Sequence, residues 1–372
     1  MKITIATGLY PPEIGGPATY AAMLESELPA QGIKINTVPF GWVRHYPKII
    51  RHLIYAWKLW QESKEADIIY ALDPISVGLP ALWVARLQHK PFLIRLGGDY
   101  AWEQGRIRFG ITDTLDDFLK KPDTWPLRVK LFAKLQAYVV GRAKRVIVPS
   151  EYLKSVVMQW GIKEKNIQVI YSALYPLEVN ETRESLRHSL SYSYPTIVSS
   201  GRLVPWKGFQ ALIEIMPDLR LRFPDISLVI IGDGEEEIKL KKLVEKLQLT
   251  NHVRFAGSIS KEALGATIKA ADVFVLNTAY EGLSHQLIEV MDIGTPIVAT
   301  KAGGNVELIT NGVNGFLVEF NHKQELTEAI EYVFNHPEAR ERISQSARGR
   351  SKLFKKEVVI KEIITMLNEI HE

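Results

Sequence analysis

Two glutamates, Glu281 and Glu289, mark the segment of residues 277–304, NTAYEGLSHQLIEVMDIGTPIVATKAGG, as a place where chemistry could occur. An apolar run precedes it at residues 271–276. A small-residue break follows at Glu281-Gly282-Leu283-Ser284, then a helical run over His285–Ile293 and a second apolar run at 296–299. Strand, loop, helix, strand is the unit of a parallel sheet. The helix start offers unpaired N–H groups and the positive end of a dipole, which favour an anion. Two carboxylates beside such a site would repel the anion unless each binds hydroxyls, with the anion between them. Eight residues of helix rise roughly 12 Å. That is about the reach from sugar ring to ribose in a nucleotide-diphosphate sugar, and it exceeds the roughly 5 to 9.5 Å of a glycosidase pair. Glu281 would then hold sugar hydroxyls, Glu289 the ribose, and the amides of Gly282, Leu283 and Ser284 the phosphate. A loop glutamate and a solvated helix glutamate would explain the same spacing.

Cations stand in a second place. Gly201-Arg202-Leu203-Val204-Pro205-Trp206-Lys207-Gly208 leaves a predicted strand at 196–199. Arg202 offers a planar fork and Lys207 a mobile point charge, a combination able to grip a diphosphate. In the first half, Gly15 and Gly16 follow the first strand and allow close approach of the backbone to a ligand. Asp99 ends the fourth strand after two glycines, where it is a candidate contact to sugar or acceptor and equally a plain turn aspartate. Neither G-x-G-x-x-G nor G-x-x-x-x-G-K-[ST] occurs, so no dinucleotide fingerprint and no P-loop is present. No Asp-x-Asp signals a magnesium site.

Strands alternating with helices must position these residues. The pattern predicts strands near 2–7, 32–40, 67–71, 91–96, 145–149 and 167–170, an irregular surface loop or lid over 101–125, and a linker over 172–195. The alternation then restarts, with strands near 196–199, 226–231, 253–255, 271–276, 296–299 and 315–318 and three helical runs to the end. Two domains suit 372 residues. With 46% hydrophobic and 24% charged residues the composition is that of an ordinary globular protein. There is no cysteine, hence no disulfide and no thiolate chemistry. No signal peptide or spanning run is apparent, which predicts a cytoplasmic protein. Residues 1–172 hold 23 Lys+Arg against 15 Asp+Glu, whereas the remainder holds 23 against 27. A basic first half suggests a phosphate-bearing acceptor or an anionic membrane surface. No nucleic-acid motif is present, so nucleic acid is not an expected partner. The run 47–64 mixes Trp57 and Trp60 with Lys58 and Arg51. It reads as a helix packed on the sheet with a basic outer face, or as one lying on a membrane.

Taken in order, Gly15-Gly16, SGRLVPWKG at 200–208, IGDG at 231–234, VRFAGSIS at 253–260, EGLSHQLIE at 281–289 and GTPIVATKAGG at 294–304 resemble the retaining GT-B glycosyltransferases of family four. The resemblance implies an α/β fold of two facing doubly wound Rossmann-like domains with a deep cleft. Residues 1–172 would bind the acceptor and 173–354 the nucleotide sugar, with a last helix from about 355–372 packing back on the first domain. It implies that Arg202 and Lys207 hold the diphosphate and stabilise the leaving group. Glu281 would contact the donor sugar, Glu289 the ribose, and Ser258-Ile259 the base. The matched segments add Gly201, Gly232 and Asp233 to the donor site. Many members carry a histidine where this chain reads Arg95-Leu96-Gly97-Gly98-Asp99, so Asp99 is the candidate substitute.

The implied activity is transfer of a hexose from GDP-mannose or a UDP-hexose to a hydroxyl of a glycan, a lipid-linked or a phosphorylated acceptor, in polysaccharide or glycolipid biosynthesis. The nucleotide sugar is a co-substrate, no further cofactor is required, and no metal is expected. Peripheral contact with the inner face of the membrane is a further expectation. A catalytically silent nucleotide-sugar-binding relative is the alternative.

Overall fold

The computed structural model describes residues 1–13, 15–192 and 194–371, and only the backbone of residues 48 and 49. The chain divides into two units, Met1–Ser172 with the terminal segment from Glu357, and Ala173–Lys356.

Unit 1 runs β1 (Lys2–Thr7), α1 (Gly16–Glu27), β2 (Lys34–Pro39), α2 (Lys48–Glu62), β3 (Ile68–Ala71), α3 (Gly78–Leu87) and β4 (Phe92–Arg95). It continues with α4 (Tyr100–Phe109), α5 (Leu115–Lys120), α6 (Leu127–Val140), β5 (Arg145–Val148), α7 (Glu151–Gln159) and β6 (Ile167–Val169). Its sheet is parallel, in the order β2-β1-β3-β4-β5-β6. β3 and β4 are buried along their whole length, as strands covered by helices on both faces must be.

Unit 2 runs α8 (Arg183–Leu190), β7 (Thr196–Ser200), α9 (Phe209–Arg222), β8 (Ser227–Ile231), α10 (Glu237–Lys246), β9 (Val253–Gly257), α11 (Lys261–Ala270) and β10 (Val273–Leu276). Then follow α12 (His285–Ile293), β11 (Ile297–Thr300), α13 (Asn305–Leu308), β12 (Phe316–Val318), α14 (Lys323–Asn335) and α15 (Pro337–Ser351). The sheet order is β12-β11-β10-β7-β8-β9, again parallel. Val275 and Ile197 of the sheet meet Ile213 and Met216 of α9 and Ile330 of α14 in one core. The last helix, α16 (Lys356–His371), belongs almost wholly to unit 1. Lys144 Nζ donates to the Ile370 carbonyl at 2.8 Å and Arg145 pairs with Glu369 at 3.7 Å.

Two stretches differ from the expectation. Residues 101–125 are ordered as α4 and α5, not irregular. Asp99 caps α4, Gly110 closes it in the left-handed conformation, and the Thr114 hydroxyl caps α5. The run 172–195 contains α8, capped by Thr182. Arg183 and Arg187 of α8 bind the buried Asp272 carboxylate, to which Arg340 adds a third cation. Leu186 is the one residue of the helix that is buried, so the ion pairs to Asp272 carry much of its attachment.

Candidate active site

Strand order in unit 2 reverses between β7 and β10, and in such sheets ligands collect at the carboxyl edge of that switch point. The residues singled out from the sequence leave these two strands. Beyond β7 come Gly201 and Arg202, then a single 3₁₀ turn over Pro205–Lys207. Beyond β10 come Asn277, Thr278 and the loop to Glu281. The Lys207 ammonium reaches the Glu281 carboxylate across the switch point, both side chains about one-fifth exposed.

The main chain is what makes this meeting possible. Gly208 sits at φ 56°, and a Cβ there would lie 2.3 Å from Asn277 Nδ2 and 2.6 Å from its carbonyl oxygen. Asn277 Nδ2 donates to the Gly208 carbonyl at 2.9 Å and to Asn321 Oδ1 at 2.8 Å. Ala279 N–H and the Thr278 hydroxyl both donate to the Trp206 carbonyl, at 2.9 and 3.2 Å. Thr300 Oγ1 accepts from Thr278 N–H at 3.0 Å, tying the loop to β11. Letters alone hide this clamp. Its one sequence signal is an asparagine at a strand end facing a glycine that must be left-handed.

Glu281 stands outside the helix. α12 begins at His285 with the Ser284 hydroxyl accepting from Leu287 N–H at 3.3 Å. Only part of the Glu281–Glu289 interval is therefore helical, and the roughly 12 Å straight-helix rise does not describe it. Among the described residues, no acceptor faces the N–H groups of Leu283 or Ser284. Gly304 N–H donates to the Glu281 carbonyl at 3.0 Å. A Cβ at Gly304 would meet the Gly282 carbonyl at 2.4 Å, so the small residues after β11 let that loop close on the helix start.

Arg202 is exposed and lies over the Trp206 ring, 5.5 Å from its centroid. Gly232 has φ 122°, and a Cβ on it would strike the Gly201 carbonyl at 2.1 Å, so β7 and β8 approach closely where they end. Asp233 Oδ2 accepts from the Ser258 hydroxyl at 2.7 Å, joining two of the expected donor-site residues. Ile259 follows in the loop before α11. Glu289 is half-buried on α12; desolvation pushes its carboxyl up to about 7, and Lys261 at the start of α11 pulls it down.

In unit 1, Gly15 and Gly16 stand at the start of α1 beyond β1. Asp99 is the N-cap of α4. It is 1% exposed, and its Oδ1 accepts from Trp102 N–H at 2.9 Å and Gln136 Nε2 at 3.2 Å. The carboxylate is spent on capping α4, and burial holds its pKa above the usual range. No group of three or more His, Cys, Asp or Glu among the described residues is placed to hold a metal ion.

A family model described as glycosyl transferases group 1 matches residues 181–350, and a second, glycosyltransferase family 4, matches residues 20–174. The chain belongs to family four of the GT-B glycosyltransferases. Among its relatives is the lipopolysaccharide core biosynthesis glycosyltransferase LpsE of Rhizobium meliloti, 32% identical over 46% of this chain and 49% of that protein. An uncharacterized glycosyltransferase of Methanocaldococcus jannaschii is 26% identical over 94% of this chain and 93% of its own length. The match spans 37–49% of the length of the curated relatives that it resembles above 30% identity. The crystal structure of Anabaena HepE in complex with UDP-glucose shares the fold, with TM-score 0.77 at 21% identity over 99% of this chain and all of that one. The family-four chain is thus two Rossmann-like units of the GT-B class.

Proposed function

We propose that this chain transfers a hexose, with retention of configuration, from a nucleotide-diphosphate sugar to a hydroxyl of a glycan, lipid-linked or phosphorylated acceptor. The observation that carries the reading is the Lys207–Glu281 contact at the unit 2 switch point, next to the open N–H groups of Leu283 and Ser284. The diphosphate lies on those amides, Gly282 and Lys207, and Arg202 swings from Trp206 to join it. Glu281 takes sugar hydroxyls, and Glu289 takes the ribose. Ser258 and Ile259 border the base; Asp233 orients Ser258; Gly201 and Gly232 keep the strand ends clear of side chains. The contribution of Gly15 and Gly16 is proposed on the family resemblance alone.

In the transfer the bond from the anomeric carbon to the β-phosphate oxygen breaks as the acceptor oxygen bonds to that carbon on the same face. The acceptor proton passes to the departing phosphate. Negative charge grows on the β-phosphate, where preorganised cations and amides stabilise it most. No divalent ion is needed where two side-chain cations serve. UDP-hexoses and GDP-mannose are the donors to test; HepE, of the same fold, was crystallised with UDP-glucose.

A screen of UDP-, GDP- and ADP-sugars by thermal shift identifies the donor, since binding to the native state raises its stability. Slow hydrolysis of that donor by the purified protein marks an active enzyme. Binding without turnover, with or without acceptor, marks the silent relative, for which the missing histidine and the buried Asp99 speak. Wild-type transfer by both Lys207→Ala and Glu281→Ala would end the assignment.

A further inference from the structure

The outer face of α2 is apolar, unlike the basic face that is one of the two expectations for this helix. Ile50, Leu53, Trp57 and Trp60 recur at helical spacing and are all exposed, Leu53 at 60% and Trp57 at 59%. The opposite stripe, with Tyr55 and Leu59, is buried in unit 1. One apolar stripe therefore serves the fold and the other does not. The exposed Trp42, on the turn before α2, and Leu87, at the end of α3, extend the surface. α3 packs along α2, and Gln88 Nε2 donates to the Trp60 carbonyl at 2.7 Å, setting Leu87 beside that end.

The charges around this surface select its partner. Lys58 Nζ stands 5.3 Å from the Trp42 ring centroid, and Lys64 Nζ 5.1 Å from that of Trp60. Each pairs an indole with an ammonium at the edge of the patch. The nearby acids point elsewhere: Glu62 accepts from Asn36 Nδ2 at 3.1 Å and Glu65 pairs with Lys2. Indoles favour the headgroup level of a bilayer, and lysines lay their stems on apolar surface while their heads reach phosphate. A second copy on this face would set lysine against lysine.

We propose that the outer face of α2, with Trp42 and Leu87, docks the protein on an anionic lipid bilayer. The apolar stripe enters the headgroup boundary, and Lys58 and Lys64 meet lipid phosphates. The proposal does not rest on the donor reading and survives its failure.

The test is co-sedimentation of the full chain with vesicles of phosphatidylcholine alone and of phosphatidylcholine mixed with phosphatidylglycerol. Binding to the mixed vesicles is expected, weakened by added salt. Trp57→Ser with Trp60→Ser should lower partitioning about tenfold or more, and Lys58→Gln about fivefold. Leu221→Ser, at an exposed leucine of unit 2, should leave it unchanged. All these positions face solvent, and circular dichroism checks that each variant folds. Absence of binding to either vesicle, equal binding to both, or indifference to the tryptophan pair would overturn the proposal. So would sedimentation velocity showing a dimer that the tryptophan pair dissociates, which would make the face a contact between copies.

Discussion

The two sheets are built alike and treat the carboxylates at their strand ends differently. In unit 1 the order reverses between β1 and β3, in unit 2 between β7 and β10. Asp73, just after β3, accepts on Oδ1 from the N–H groups of Ile75 at 2.9 Å and Ser76 at 2.6 Å. Burial pushes its carboxyl up to about 6, against the pull of those bonds. Asp99, after β4, caps α4. In unit 2, Glu281 instead meets a cation from the facing strand's loop, and Glu289 keeps a partly open carboxyl. A strand-end carboxylate is available to a ligand when the N–H groups two to four residues on do not fold back onto it. In unit 1 the short aspartates are consumed by their own backbone; in unit 2 the longer Glu281 is not.

This contrast can be broken at four places. Lys207→Ala should lower kcat with the identified donor about 10²- to 10³-fold while leaving Tm nearly unchanged, read by steady-state kinetics and calorimetry. Gly208→Ala should destabilise unit 2 by on the order of 2 to 3 kcal/mol, because its Cβ meets Asn277; urea unfolding reads it.

Glu289→Gln tests the raised carboxyl. A carboxyl with a higher pKa folded than unfolded holds its proton more tightly in the native state. Its contribution is therefore favourable at low pH and is lost as pH rises through about 7. Above that pH the glutamine variant should exceed wild type in stability by on the order of 2 kcal/mol, the gap closing toward pH ~5, while donor affinity falls. The smallest effect is Asp99→Ala, expected to cost about 1 kcal/mol with transfer retained below the variant's Tm. Loss of transfer at unchanged Tm would return Asp99 to the site.

The strands were legible because each is a short β-branched or apolar run ended by glycine, proline or a polar turn, and α12 was legible to the residue. What hid from the letters were contacts made by shape and charge. α8 is polar overall, with Leu186 its one buried residue and arginines holding Asp272, so its letters read like those of a linker. α4 lay in a stretch rich in Trp, Arg and Gly whose cap, Asp99, invited a ligand role. The outer face of α2 could not be told from its inner face, since both stripes are apolar. In the site, residue types pointed to an anion with hydroxyls on either side. The Asn277–Gly208 clamp that brings Lys207 to Glu281 depends on a left-handed glycine and a loop register that spacing does not encode.

The central claim is that the unit 2 switch point receives a diphosphate on main-chain amides and Lys207. Backbone amide NMR of the protein, titrated with UDP and GDP, tests it most directly. The N–H resonances of Leu283 and Ser284 should move on saturation in the wild type, and far less at the same nucleotide concentration in Lys207→Ala. Nucleotide binding that leaves residues 282–284 unperturbed, or perturbs them equally in both proteins, would contradict the account.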